Sequence, residues 1–149
     1  MSWTAITIET LYEAKIASLI DACNDAALGS SQPSRVPGII QGVVSEIRNA
    51  VATCHHNQVD ADPATVPTSQ RDLAVDLITA RLKNAIEQPL TDAERSNLDE
   101  RRRQLRDIAA CKLVVDQPDA PAPPQVQSGS AAQLLSDQIP HPFSQLGTN

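Results

Sequence analysis

The stretch Pro37-Gly38-Ile39-Ile40-Gln41-Gly42-Val43-Val44-Ser45-Glu46-Ile47-Arg48-Asn49-Ala50-Val51-Ala52-Thr53-Cys54 decides the fold class. Ile40, Val43, Val44, Ile47 and Val51 recur at the intervals of one helix face, and Glu46, Arg48 and Asn49 fall away from it. Pro37 stands in the first turn, where a helix tolerates proline. Gly38 and Gly42 share that helix, and their spacing predicts close backbone approach by a neighbouring helix.

Outward from this segment the same period continues. Toward the N-terminus a helix is predicted from Ile8 to Leu28, capped by Thr7, with Gly29 as a left-handed C-cap and Leu11, Ile16, Leu19, Ile20, Cys23 and Ala27 inward. Toward the C-terminus His55 to Pro67 reads as a polar loop long enough for a contact role. A third helix is predicted from Ser69, acting as cap with Asp72, to Glu87, with Leu73, Leu77, Ile78, Leu82, Ala85 and Ile86 inward. The fourth opens on the capping box Thr91-Asp92-Ala93-Glu94 and turns Leu98, Leu105, Ile108 and Ala109 to the core. Leu113-Val114-Val115 reads as an extended exit.

After Asp116 the composition changes. Pro118, Pro121, Pro123 and Pro124 crowd together, Gly129 sits between two serines, and no Lys or Arg follows. Leu134, Leu135, Ile139, Phe143 and Leu146 are nevertheless too apolar for a solvating tail. The predicted organisation is an all-α bundle of about four helices over residues 1–115, followed by a Pro-rich linker and extended docking arm over 116–149, with Leu134, Leu135, Ile139 and Phe143 as anchors.

The 149 residues suffice for one domain, whose core must be aliphatic because Trp3, Tyr12 and Phe143 are the sole aromatics. The formal charge of −6 repels nucleic acid and anionic membrane. No apolar run reaches the roughly 20 residues of a spanning helix, so no membrane partner is expected. Cys23, Cys54 and Cys111 are odd in number and lack a CxxC pair, which predicts reduced, buried thiols in a protein made in the cytoplasm.

Cys54-His55-His56 with Asp60 and Asp62 contains metal-ligand types, but adjacent side chains on a helix end diverge too far to converge on one ion, and no metal or cofactor is expected. Asp60-Ala61-Asp62 lacks the glycine and distal glutamate of a calcium loop. There is no phosphate loop, nucleophile elbow or paired-carboxylate pattern, so no enzyme is expected. Arg95, Arg101, Arg102, Arg103 and Arg106 are interleaved with Asp92, Glu94, Asp99, Glu100 and Asp107. An Asp99–Arg103 pair is predicted, and Arg101, Arg102, Arg103, Arg106, Asp99 and Glu100 read as a subunit interface in preference to a DNA contact.

Several segments together resemble the small head-to-tail connector (adaptor, or head completion) proteins of tailed bacteriophages, in particular the Mu-like prophage family. They are Trp3-Thr4-Ala5-Ile6-Thr7 before a Leu- and Ala-rich helix, Ile39 to Val51, Val66-Pro67 leading into Leu73 to Leu82, and Leu105 to Leu113, where the family usually has Gly in place of Cys111. The resemblance spans residues 3 to 115. It implies a homo-oligomeric ring of about twelve subunits in the virion neck, bound to the portal and to tail or tail-terminator proteins, with DNA passing through its lumen without sequence-specific binding. The alternative is a phage DNA-binding protein, either a small terminase subunit or a helix-turn-helix regulator, which would require a basic recognition helix. A scaffolding protein is a third option, distinguished by its absence from mature particles.

Overall fold

Apolar residues at helical spacing produce five α-helices in the computed structural model, which describes residues 2–14 and 16–124. They are α1 (Ile8–Glu13), α2 (Ala17–Gly29), α3 (Val36–Thr53), α4 (Arg71–Ala85) and α5 (Asp92–Ala109). Two short strands, β1 (Trp3–Ala5) and β2 (Thr65–Pro67), pair antiparallel, with Trp3 opposite Pro67 and Ala5 opposite Thr65. The protein is mostly α-helical, and the ribbon is a small addition to the bundle.

The helix predicted from Ile8 to Leu28 is in fact two helices. At about 100° per residue a straight helix would put Leu11 and Ile20 on opposite faces. The break after Glu13 rephases the chain, so both are buried. Gly29 is not the left-handed cap: it is the last helical residue, and Ser31 takes the positive φ of 56°. The Gln32 N–H then reaches back to the Ala27 carbonyl. The same closure ends α4 at Glu87, with Gln88 donating to Lys83, and α5 at Cys111, with Lys112 donating to Asp107.

The predicted stripe of α3 is wholly buried: Ile40, Val43, Val44 and Ile47 pack with Ile20, Leu73, Leu77, Ile78 and Leu105 into the main core, and Val51 enters a second, smaller cluster. Dispersion and burial of these aliphatic side chains, at about 25 cal/mol per Å², are the main favourable terms. The two glycines of α3 do not mediate backbone contact. Gly38 faces open space, and a Cβ at Gly42 would come within 3.2 Å of the Arg81 guanidinium. A long cationic side chain, not a backbone, fills that space.

Ser69 does not cap α4. Thr68–Gln70 form a 3₁₀ turn, Gln70 precedes the helix without a side-chain cap, and the Ser69 N–H donates to Asp116 Oδ2 at 2.9 Å. By contrast, the capping box of α5 forms in both directions: Glu94 N–H to Thr91 Oγ1 at 3.2 Å and Thr91 N–H to Glu94 Oε2 at 2.8 Å. Leu113 to Val115 is irregular, with Val114 exposed and Val115 buried in a second cluster with Trp3, Val51 and Ile108.

Cys54 and Cys111 form a disulfide, which corrects the expectation of three reduced thiols; Cys23 is free and buried. Spacing along the chain could not show it, because α3 and α5 are brought side by side only by packing, leaving their C-terminal ends 5.2 Å apart at Cα.

Residues 116–124 run along the body. The Asp116 carbonyl accepts from Trp3 Nε1 at 2.8 Å, and Asp119 accepts from the Ser2 hydroxyl at 3.1 Å. Ala61 N–H donates to the Ala120 carbonyl and Ala122 N–H to the Val59 carbonyl, both at 2.8 Å, so this proline segment lies antiparallel to 59–61. The anchors Leu134, Leu135, Ile139 and Phe143 lie outside the described residues.

Candidate interaction surface

Helix α5 presents three environments. Leu105 and Ile108 are buried and Leu98 is partly buried against the core. One flank is fastened to α4: Asp76 Oδ2 accepts from Arg101 Nε at 2.7 Å and from Asn97 Nδ2 at 3.0 Å. Gln104 donates to Gln70 at 3.0 Å. Lys83 of α4 also pairs with Glu94, and this contact, followed by the Thr91 backbone bond, holds the Glu94 carboxyl below the usual glutamate range.

The third environment faces solvent. Asp92, Arg95, Asp99, Arg102 and Arg106 recur along one stripe, with Arg103 beside it. Arg103 pairs with Glu100 at 3.2 Å, Arg102 approaches Asp99 at 4.0 Å and Arg95 approaches Asp92 at 3.9 Å. The anticipated Asp99–Arg103 pair is therefore replaced by pairs one residue closer in sequence. Of the six residues expected at an interface, Asp99, Glu100, Arg102, Arg103 and Arg106 share this exposed side, whereas Arg101 turns inward to Asp76. Such exposed pairs contribute little to folding, on the order of 0–1 kcal/mol each, so they remain available to exchange partners.

A second polar centre escaped the sequence reading, which put Arg48 on the solvated side of its helix. Arg48 is half-buried. Nη2 donates to the Asp60 carbonyl at 2.6 Å, and Nη1 donates to the carbonyls of Asp62 at 2.8 Å and Thr65 at 3.0 Å. Its guanidinium also lies 5.3 Å from the centroid of the Trp3 ring. Burial pulls the Arg48 pKa down, opposed by Asp60 and Asp62. The loop 55–67 is thus organised around one fixed cation, a role that only the non-local approach of Asp60 to α3 creates. Within that loop, Asp60 Oδ1 accepts from the Asp62 N–H and Asp62 Oδ1 accepts from the Ala64 N–H, ordinary turn bonds.

The remaining metal-ligand types do not assemble a centre: Cys54 is bonded to Cys111, the rings of His55 and His56 lie 3.8 Å apart and tilted by 44° on the surface, and no cluster suited to an ion occurs among the described residues. No helix among these residues is long and apolar enough to cross a membrane. No family model, curated protein or solved structure matches the chain.

Proposed function

We propose that this chain is a structural subunit of the neck of a tailed bacteriophage, a homo-oligomeric ring of about twelve copies that joins the portal to the tail and lines the DNA channel. One backbone observation carries the reading beyond the order of the helices. The connector family that the sequence resembles usually has glycine at the position of Cys111, and Cys111 holds a φ of 59°, the left-handed conformation that glycine adopts most readily. A helix followed by a left-handed exit is therefore shared by the resemblance and by the geometry.

The charge distribution supports the same role. A net charge of −6 keeps DNA from adhering to a channel wall, and the paired stripe on α5 offers both signs to a neighbouring subunit. The disulfide suits a protein that persists on particles outside the reducing host cytoplasm. In this role the arm anchors Leu134, Leu135, Ile139 and Phe143 dock on the neck.

The DNA-binding alternative has less to draw on. Arg48, Arg71, Arg81, Lys83 and Arg101 each engage oxygen atoms of another part of the chain, and on the exposed side of α5 Arg95, Arg102 and Arg103 lie beside Asp92, Asp99 and Glu100. Electron microscopy of virions with antibody against this chain tests the proposal: label is expected at the neck, and its absence from mature particles would refute it. Titration of labelled duplex at physiological salt separates the alternative, since sequence-specific binding tighter than about 10⁻⁸ M belongs to a site reader.

A further inference from the structure

An apolar groove of about 340 Å³ opens beside the start of α1, with Ile6, Ile40 and Val44 at its base and Ile8, Pro37 and Pro63 around it. No charged side chain lines it, and Ile8 is 37% exposed. A groove of this size and polarity suits a few large aliphatic or aromatic side chains.

The chain itself carries such a group. Beyond Pro124 lie 25 residues, including Leu134, Leu135, Ile139 and Phe143 and no Lys or Arg. Their point of departure is fixed close by, because Ala122 is hydrogen-bonded to Val59, in the same loop as Pro63. The chain from Val59 to Pro63 cannot exceed about 15 Å, at 3.8 Å per step between Cα atoms. The ten residues from Pro124 to Leu134 reach at most about 33–36 Å. That reach exceeds the limit between Val59 and Pro63, so the apolar residues of the arm can meet the groove of their own chain, and the covalent tether raises their effective concentration there above that of a second copy.

We propose that in the free subunit the segment Leu134–Phe143 seats its apolar side chains in the groove of its own chain, shielding them until a partner displaces them. The inference concerns the isolated chain and stands or falls independently of the neck assignment. It is tested by methyl NMR of the full chain carrying a nitroxide at Ser136→Cys in a Cys23→Ala background, where the new thiol is the sole free one. The methyl signals of Ile8, Ile40 and Val44 are expected to be lost, equally at low and high concentration. Ile8→Glu, a change at an exposed side chain whose effect on folding circular dichroism checks, is expected to restore those of Ile40 and Val44. Undiminished signals in the labelled full chain would overturn the proposal. So would loss that appears between a spin-labelled copy and a separate isotope-labelled copy, which would give the groove to a second molecule.

Discussion

Reduction of Cys54–Cys111 is the perturbation with the largest expected effect on stability. The bond joins residues separated by 57 positions, and cross-linking a loop of that length removes unfolded-chain entropy worth about 4 kcal/mol. It holds the ends of α3 and α5 beside the cluster of Trp3, Val51, Ile108 and Val115. The main core, to which Leu11 of α1, the helices α2, α3 and α4 and Leu105 contribute, includes neither Cys54 nor Cys111. The reduced protein is therefore expected to remain helical at 25 °C but to melt roughly 8–16 °C lower, at about 2–4 °C per kcal/mol for a chain of this size. Parallel thermal scans of the oxidised protein, the reduced protein and a Cys54→Ala/Cys111→Ala variant, followed by circular dichroism and by Trp3 fluorescence, measure this. Identical midpoints for the oxidised protein and the double variant would refute the reasoning.

Arg48→Ala removes the cation that binds three loop carbonyls and is expected to destabilise by about 2–4 kcal/mol, visible in urea unfolding, whereas Arg103→Ala should change stability by less than about 1 kcal/mol. With Cys54→Ala removing the bridge, Cys111→Gly should be more stable than Cys111→Ala by about 0.5–1 kcal/mol. The left-handed backbone costs alanine about 1–2 kcal/mol, offset in part by glycine's greater unfolded-state entropy. Glu94 has its pKa lowered in the folded state, so its stabilising effect is present above the unfolded glutamate pKa and is lost as pH falls through the folded value. Unfolding curves across that acidic range should show a pH dependence that Glu94→Gln reduces.

The helices that stand on period and punctuation are legible in neighbouring residues. Ile40 to Val51 could bury one face only as a helix, and Thr91 with Glu94 marked the start of α5 because both partners of the capping box are local. The exposed charged side of α5 was legible for the same reason, since interleaved Asp, Glu and Arg at helical spacing belong to one surface.

Tertiary structure alone decided whatever depends on which distant segments meet. The break between α1 and α2 follows from the need of Leu11 and Ile20 to reach one core, and Arg101 leaves the outer face because Asp76 of another helix is within reach. Pairing of Trp3–Ala5 with Thr65–Pro67 has no local signature in strands this short. The Cys54–Cys111 bond and the carbonyl cage around Arg48 depend likewise on packing that sets α3 against α5 and folds the 55–67 loop onto α3. Period and caps are written in neighbouring residues, whereas those contacts exist only once burial of the aliphatic faces has fixed how the helices lie together.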